Sequence, residues 1–439
     1  MIFFIIVWHS FIGCNKNDDP IEQKEIDAPE EESNEQDDEI TEEEQISCTE
    51  IAGNLPTTEG DVLQSDSPLT AARDFCMGIL HPFFGGIDST VSISVHQWPT
   101  ESLRIRLEDV AGEPILDWQE FSIQAQYQIL LPRSGEFFVH IEPINIEEVT
   151  HEYTIELQCL SNCNVEYTKY PILFFHGLAG FDSLLNVMDY FDGVEETLIE
   201  HGYHPEFPAV AAFDTIENRA LSWQEQMNIL IDTGVARKFN IIAHSQGGLD
   251  ARYLATVLGE SHRIASITTI STPHHGTVVS DAYTGLVEVS FWEGGIIDEV
   301  VSFGSQLFGV EGENFTAQLE QMTTTSMSEF NQNVPDAEGV VYYSWAGKSC
   351  RFLQWDCQNE MDGEVVTSYF ATTHWYIEEY QGFNDGLVAV ESSIWGEYLG
   401  ILPADHIDQM GHRFDNSAQV FDAQAFFLSE ARRLSEAGF

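Results

Sequence analysis

Residues 241–248, Ile-Ile-Ala-His-Ser-Gln-Gly-Gly, restrict the fold of this chain more than any other segment. An apolar run at 239–243 precedes the serine, and a helix-length segment at 247–258 follows it. Small residues are needed where a strand and the helix after it almost touch, and Ala243 and Gly247 meet that need. We therefore predict that Ser245 occupies a strained turn between a buried strand and a helix.

Two more apolar runs, 170–175 and 264–270, lie on either side of this element. Helix-length segments such as 223–233 separate the runs. Continuous apolar strands that alternate with helices are typical of a mainly parallel sheet covered by helices. We predict such an α/β domain over residues 165–439.

The segment before it, residues 48–164, has a different pattern. Short strands with period-two alternation are broken by Gly, Pro and Asp turns, which predicts an antiparallel β-sandwich. The stretches Leu103–Gly112 and Pro132–Val139 resemble the bacterial pre-peptidase C-terminal type of sandwich, which is an accessory domain. The predicted strands are 90–95, 103–107, 127–131, 137–141 and 153–157.

The charge of the chain excludes one class of function. Asp and Glu number 73 against 17 Lys and Arg, a formal net charge of −56. A nucleic-acid binder needs basic stripes that this chain cannot assemble, and docking on anionic lipid is disfavoured for the same reason. Residues 15–47 are acidic and lack aromatic side chains, so we predict a disordered tether. A calcium-binding acidic segment is the alternative.

The first 14 residues resemble an export signal. They are apolar up to Ile12, too short for a membrane span of about 20 residues but suited to a signal peptide. Phe11-Ile-Gly-Cys14 resembles a bacterial lipoprotein cleavage site, which implies a lipidated Cys14 and a cell-surface, outer-membrane location. Ordinary secretion with Cys14 discarded is the alternative.

The cysteine count fits an exported chain. Without Cys14 six cysteines remain, an even number that predicts disulfides. Cys350 and Cys357 are isolated and would pair with each other, while three pairings stay open for the rest. A zinc site at the CxxxC spacing is disfavoured, because no partner pair lies nearby. The other four are Cys48, Cys76, Cys159 and Cys163.

Four ordered motifs identify a resemblance over residues 168–435. They are Phe175-His-Gly-Leu-Ala-Gly-Phe-Asp182, Ile270-Ser-Thr-Pro-His-His-Gly276, Tyr342-Tyr-Ser-Trp-Ala-Gly347 and Asn384-Asp-Gly-Leu-Val388. Together with the serine turn they resemble the bacterial true lipases of the Pseudomonas and Burkholderia group, which have the α/β-hydrolase fold. The resemblance implies a carboxylic ester hydrolase that acts on triacylglycerols. The alternatives are a short-chain carboxylesterase, a phospholipase, or a non-catalytic surface-binding lipoprotein.

A serine nucleophile needs a histidine base and a carboxylate behind it. In this fold they follow in the order Ser, acid, His, and Ser245, Asp385 and His406 satisfy that order. The competing residues are His412, His374, which precedes the acid, and Asp405. The oxyanion of the tetrahedral intermediate would accept hydrogen bonds from the main-chain N–H groups of Gln246 and Leu178. His176 is expected to be structural.

The resemblance also implies one structural Ca²⁺ that holds the loop bearing His406. Its ligands would be the carboxylates of Asp408 and Asp362 and the main-chain carbonyls of His412 and Asn416, an oxygen set suited to a hard cation. Asp356 competes with Asp362, because an insertion around Cys350 blurs the match.

Residues 277–330 contain a long apolar stretch between the serine and the acid. We predict a lid of amphipathic helices that opens at a lipid–water interface, and a fixed cap is the alternative. The apolar residues of this stretch are Leu286, Val287, Val289, Phe291, Trp292, Ile296, Ile297, Val300, Val301, Phe303, Leu307 and Phe308.

The family resemblance leaves open whether folding depends on a dedicated foldase. We expect the protein to be a monomer.

Overall fold

A computed structural model describes nine stretches of the chain. They are residues 71–75, 79–98, 102–144, 151–163, 165–177, 190–286, 313–351, 365–412 and 421–439. Several sequence predictions fall outside these residues: the signal segment with Cys14, the tether 15–47, Cys48, Cys76 and Cys357, the middle of the lid, Leu178, Asp356, Asp362 and Asn416.

The N-terminal part is a β-sandwich of two antiparallel four-stranded sheets. One sheet has the strand order β1-β8-β3-β6 and the other β2-β7-β4-β5. Each strand predicted from the sequence lies in an observed one, apart from Leu131, which follows the end of β6. The strands are β1 (Ala71–Phe75), β2 (Ile79–Gly85), β3 (Thr90–Trp98), β4 (Leu103–Asp109), β5 (Pro114–Phe121), β6 (Gln124–Leu130), β7 (Gly135–Pro143) and β8 (His151–Ser161).

Alternate residues of both sheets form the sandwich core. In β4 the inward side chains of Leu103, Ile105 and Leu107 are buried. They pack with inward residues of the facing sheet such as Ile93 and Leu157 in one apolar cluster. This is the two-sided burial that period-two alternation predicts. Cys159 and Cys163 form a disulfide at the end of β8, which settles one of the pairings left open by the sequence.

The second part is a six-stranded parallel sheet in the order β10-β9-β11-β12-β13-β14. Every neighbouring pair of strands runs parallel. Strands β9, β11 and β12 are fully buried, as the sequence predicts for central strands, although β11 and β12 also bury polar residues such as Asn240 and Ser266. The strands are β9 (Ile172–Phe175), β10 (Pro205–Glu206), β11 (Phe239–His244), β12 (Ile264–Ile270), β13 (Val341–Gly347) and β14 (Glu397–Leu402).

Helices cover both faces of this sheet, as two apolar clusters show. Met227 and Leu254 pack on one face with strand residues such as Ile241. Phe427 packs on the other face with Ile242. No helix among the described residues is long and apolar enough to cross a bilayer. The helices are α1 (Val194–Glu200), α2 (Ile216–Asp232), α3 (Gly247–Thr256), α4 (Val278–Tyr283), α5 (Glu313–Gln321), α6 (Thr324–Asn333), α7 (Ala371–Gln381), α8 (Val390–Ser393) and α9 (Ala423–Glu436).

The sandwich contacts the parallel sheet at the edge where the strands begin. Arg133 donates to the carbonyls of Gly234 and Val235, at 2.8 and 3.0 Å. Glu136 of β7 accepts two hydrogen bonds from Arg237, at 2.6 and 3.1 Å. These three partners immediately precede β11. Since Ser245 follows the other end of β11, the sandwich docks on the side of the sheet opposite the serine.

Candidate active site

The serine turn has the strained geometry that the sequence predicts. Ser245 follows β11 and precedes α3, with a φ of 55°, the left-handed region that non-glycine residues rarely adopt. A side chain on Gly247 would approach the carbonyl oxygens of Phe175 and His176 to 2.6 and 2.8 Å. A side chain on Gly248 would collide with the Thr272 hydroxyl. The small residues are therefore required by the close approach of strand and helix.

The three predicted catalytic side chains form one hydrogen-bonded chain. Ser245 Oγ lies 3.0 Å from His406 Nε2. His406 Nδ1 lies 2.7 Å from Asp385 Oδ2. With Nδ1–H donating to the carboxylate, Nε2 is free to accept the serine proton, which is the tautomer that a general base needs.

The acid of this chain is held ionised by its surroundings. Asp385 is completely buried, and burial raises its pKa, but the charge of His406, its hydrogen bond and two amides lower the pKa to about 2. The amides are those of Leu387 and Val388, which donate to Oδ1 at 3.0 and 2.8 Å. The carboxylate is therefore ionised at neutral pH, where it faces the imidazole of His406.

The loop after β9 approaches the serine closely. A side chain on Gly177 would lie 2.6 Å from Ser245 Cβ, so glycine is required there. Gln246 lies between the serine and the first residue of α3, and its side chain is completely buried. In the α/β-hydrolase fold the residue after the serine donates its main-chain N–H to the oxyanion, and Gln246 holds that position. The second predicted donor, Leu178, follows Gly177 directly and stays a prediction.

The comparisons with known proteins agree with this geometry. The model of the palmitoyl protein thioesterase family matches residues 171–391, a range that includes Ser245 and Asp385. A triacylglycerol lipase of Pseudomonas fragi is 31% identical over 302 residues, covering 62% of this chain and 98% of that enzyme. The chain belongs to the triacylglycerol lipase family.

Other relatives lie in the same family. A triacylglycerol lipase of Vibrio cholerae is 29% identical over 306 residues, covering 64% of this chain and 92% of that enzyme. One of Burkholderia plantarii is 28% identical over 320 residues, with coverages of 62% and 87%. Among solved structures, a lipase of Bacillus licheniformis superposes with a TM-score of 0.45 at 19% identity, covering 61% of this chain and 93% of that one.

A buried ion pair supports the loop after β9 in this family member. Arg219 of α2 and Asp250 of α3 are completely buried and 2.8 Å apart. Arg219 also donates to the carbonyl of His176 at 2.7 Å. Burial raises the pKa of Asp250 to about 6 and Arg219 opposes that rise. Trp223 adds a hydrogen bond of 3.2 Å to the same carboxylate oxygen.

His176 is structural, as expected. Its Nε2 accepts the N–H of Val210 at 3.1 Å, so Nδ1 carries the proton and faces the Gly177 carbonyl at 3.0 Å. Burial, and then the charge of Arg219, lowers its pKa to about 3. A histidine that stays neutral with both nitrogens engaged cannot shuttle protons to the substrate.

The turn that carries His406 and the residues just after it contain two of the four residues predicted to bind calcium, Asp408 and His412. Asp408 is 7% exposed and His412 is 6% exposed. Asp405 does not contact the catalytic histidine through its carboxylate, which accepts the N–H groups of Thr367, Ile407 and Asp408 at 2.8 to 3.0 Å. Asp405 therefore shapes the turn instead of serving as the acid.

The other competitors of the triad also have different partners. His374 lies 3.1 Å from the carbonyl of Ser349 through Nε2. His412 Nε2 lies 3.0 Å from the carbonyl of Tyr190. In both rings Nε2 lies against a main-chain carbonyl, whereas His406 is the histidine that contacts the serine.

The described ends of the predicted lid pack on the nucleophile helix. Val279 of α4 and Phe315 of α5 share an apolar cluster with Leu249 of α3. Gln318 of α5 donates a side-chain hydrogen bond to Gln246, the residue after the nucleophile. These flanks are part of the core, and an opening lid stays a prediction for the segment between them.

Three buried residues at the site were not singled out from the sequence. Tyr190, His244 and Gln409 all contact the triad or the loop after β9. His244 adjoins Ser245 in the motif and Gln409 lies three residues after His406, so proximity was the available signal. Tyr190 lies outside every motif, so the sequence offers nothing from which its hydrogen-bond partners could be predicted.

Proposed function

We propose that the protein is an exported triacylglycerol lipase. The observation that carries the proposal is the continuous chain Ser245–His406–Asp385, with contacts of 3.0 and 2.7 Å, in a chain of this family. The Pseudomonas fragi enzyme, which bears the name triacylglycerol lipase, supports the substrate class. A non-catalytic binding protein would have no need to hold a serine at a φ of 55° against a histidine.

The proposed mechanism follows from these contacts. Ser245 Oγ attacks the acyl carbonyl while His406 Nε2 takes its proton, and Asp385 stabilises the resulting imidazolium. The oxyanion accepts the main-chain N–H groups of Gln246 and Leu178. His406 then protonates the departing alcohol, which leaves an acyl-enzyme. Water, deprotonated by His406, releases the fatty acid and restores the serine.

The burial of the site supports a segment that moves aside to admit the substrate. Ser245 and His406 are only 7% and 5% exposed. An ester reaches the serine once neighbouring elements move aside, and we propose the segment between α4 and α5 as that lid. Its apolar side chains would contact a lipid–water interface.

We propose one structural Ca²⁺ next to the turn of His406. The donor set is all oxygen: the carboxylates of Asp408 and Asp362 and the carbonyls of His412 and Asn416, which fits a hard cation. Asp408 is nearly buried and lies two residues from His406. A buried carboxylate is stabilised by a cation, so the ion would hold this turn in place and supply no chemistry to the ester.

We propose that the mature protein is a monomer attached to the bacterial cell surface through a lipid on Cys14. The signal-like residues 1–13 and the acidic tether that follows support this. An unmodified mature N-terminus beyond Cys14, measured by mass spectrometry, would replace anchoring with secretion. Protein that refolds alone into an inactive form would indicate that folding requires a dedicated foldase.

Hydrolysis of emulsified triolein and of p-nitrophenyl esters with short and long acyl chains tests the function. We expect the full chain to cleave triolein and the long-chain esters, and the Ser245→Ala variant to lose more than a thousandfold in kcat. Activity confined to short soluble esters would make it a carboxylesterase. Folded protein inactive on every ester would overturn the proposal.

Acyl thioesters are a second candidate substrate class. The match to the palmitoyl protein thioesterase family over residues 171–391 favours them. The same triad can form the acyl-enzyme from a thioester, since His406 need not protonate a thiolate as fully as an alkoxide. Higher kcat/KM for a palmitoyl thioester than for the matching oxygen ester would select this class.

A further inference from the structure

We propose that Tyr190, His244 and Gln409 are positioning residues that form one hydrogen-bond chain from the loop after β9 to the carboxylate of Asp385. The inference rests on the proposed ester hydrolysis at Ser245. None of the three residues would touch the substrate. They would act through the two groups at the ends of the chain, Gly177 and Asp385.

The first half of the chain begins at the main chain of the loop. The N–H of Gly177 donates to Tyr190 Oη at 3.0 Å. Tyr190 Oη lies 2.8 Å from His244 Nδ1. Burial raises the pKa of Tyr190, so the phenol keeps its proton and can donate it to His244. The tyrosine thus accepts from the loop and donates to the histidine.

His244 must then carry its own proton on Nε2. Burial, and next the charge of His406, lowers its pKa well below the ordinary value, so the ring is neutral. The ring centroids of His244 and His406 are 4.6 Å apart, which leaves no room for a second positive charge beside the catalytic imidazolium. With Nδ1 accepting from Tyr190, the neutral tautomer has its hydrogen on Nε2.

The second half of the chain ends at the triad. Gln409 Nε2 donates to Asp385 Oδ2 at 3.0 Å. Within the described residues, His244 Nε2 and Gln409 Oε1 are buried and have no hydrogen-bond partner of standard geometry. Two acceptors are near the proton of His244, the side-chain oxygen of Gln409 and the main-chain carbonyl of His406, and each of them raises the pKa of the ring. Of these two acceptors, Gln409 Oε1 is the buried one that has no other partner among the described residues, and donation of His244 Nε2–H to it completes the proposed chain.

All the hydrogens in this chain point from the loop toward the acid. At one end lies Gly177, which approaches Ser245 so closely that a side chain would sit 2.6 Å from Ser245 Cβ. At the other end is the same oxygen, Asp385 Oδ2, that accepts from His406 at 2.7 Å. The loop beside the nucleophile and the acid behind the base are therefore held by one set of contacts and should respond together.

The tautomer of His244 is the first test, and it needs no turnover. Protein with ¹⁵N-labelled histidine is observed by NMR from pH 8 to pH 5, and His244 is identified by the signals missing in His244→Gln. We expect a neutral ring with the proton on Nε2 across this range. A proton on Nδ1, or protonation of the ring above pH 5, would break the chain at Tyr190 and overturn the inference.

A double-mutant cycle is the second test. Tyr190→Phe and Gln409→Leu are each expected to lower kcat about tenfold on a soluble ester, with KM changed less than twofold. Because the two side chains act through His244, the double variant should lose about tenfold to thirtyfold instead of the hundredfold product. Losses that multiply would show two independent contacts and overturn the inference.

Matched controls come from buried residues outside the site. Tyr203 and Gln97 are 4% and 2% exposed, and Tyr203→Phe and Gln97→Leu should leave kcat unchanged. Gln409→Leu also leaves Asp385 with one donor fewer, so the acid limb of the kcat/KM profile should move to higher pH, which a structural role alone would not cause.

The two proposals fail in different ways. Folded wild-type protein that hydrolyses no ester would overturn the function, while the tautomer of His244 would still decide the hydrogen-bond chain. Full hydrolysis with the wrong tautomer or with multiplying losses would overturn the chain alone.

Discussion

At the scale of single residues, the environment assigns the roles of chemically similar groups. Asp385 and Asp405 are both completely buried carboxylates near His406. Asp385 faces the imidazole at 2.7 Å, whereas Asp405 accepts main-chain N–H groups. The same holds for His406 and His244, adjacent rings of which one contacts Ser245 and Asp385 while burial keeps the other neutral. Partner geometry, more than residue type, decides the chemistry.

Replacement of the acid tests this assignment. Asp385→Asn keeps an oxygen for the two amides but cannot stabilise the imidazolium, so kcat should fall about 10⁴-fold. The rate on a soluble ester is measured beside Asp88→Asn, which changes a surface acid far from the triad. A loss smaller than tenfold would mean that another carboxylate supports His406.

The lowered pKa of Asp385 also makes the stability of the folded protein depend on pH. Burial raises the pKa of Asp385 but His406 and the amides lower it to about 2, below the value of about 3.9 in an unfolded chain. Its stabilising contribution is therefore present above about pH 4 and is lost as the pH falls toward 2. Melting temperatures of wild type and Asp385→Asn should converge over that interval, and a constant difference would contradict the lowered pKa.

At the scale of elements, the residues of the site lie at the carboxyl ends of the strands of the parallel sheet. Ser245 follows β11, and its N–H donates to the carbonyl of Ile270 at the end of β12 at 2.9 Å. Helices α2 and α3 add the buried Arg219–Asp250 pair, which holds the carbonyl of His176 after β9. The loop after β9 is thus held by Arg219 of α2, which Asp250 of α3 holds in turn.

Removal of one charge of this pair should be costly. Asp250→Asn leaves Arg219 buried without a counter-charge, so we expect the free energy of unfolding to fall by about 3–5 kcal/mol. The measurement is denaturant unfolding, and kcat should fall as the loop loses its support. Glu166→Gln is the matched control, because its pair with Arg432 is half exposed, so solvent screens the two charges and the variant should lose little stability. Equal losses in both variants would contradict a special role for burial.

At the scale of the whole molecule, the sandwich and the site lie at opposite edges of the parallel sheet. The sandwich contacts Gly234, Val235 and Arg237, before β11 begins, and Ser245 follows where β11 ends. A side chain on Gly234 would come within 2.6 Å of Ala111 Cβ, so the two parts are closely packed. This placement supports a bracing role for the sandwich and argues against contact between it and the scissile ester.

Loosening that interface should separate the unfolding of the two parts. Arg133→Ala combined with Arg237→Ala removes the contacts with Gly234, Val235 and Glu136, so calorimetry should resolve two transitions. The kcat on a soluble ester should change less than twofold, because the triad is at the far edge. Arg104→Ala, which removes a pair within the sandwich, is the control. A large loss of kcat in the double variant alone would mean that the sandwich acts on the site.

Calcium should stabilise the whole fold through the turn of His406. Saturating Ca²⁺ at about 100 times its Kd is expected to add about 2.7 kcal/mol to the free energy of unfolding of wild type. Asp408→Asn should lose most of that gain, while Asp88→Asn keeps it. The melting temperature is measured in Ca²⁺ and in EDTA. Equal gains in wild type and Asp408→Asn would place the ion elsewhere.

The sequence by itself determined the features that depend on local pattern. The continuous apolar runs gave β9, β11 and β12, since a strand buried on both faces needs no polar residue. The spacing of small residues around Ser245 required the strained turn, and the order of motifs selected Asp385 and His406. Period-two alternation likewise predicted the strands of the sandwich.

Only the tertiary structure decided the contacts between distant parts of the chain. Arg219 meets the carbonyl of His176, and Gln409 meets Asp385, because strands and helices bring together residues that no local pattern connects. The docking of Arg133 on Gly234 and the choice of Asp385 over Asp405 at the histidine arise in the same way. Periodicity specifies which face of an element is buried, whereas partners across elements follow from how those faces pack.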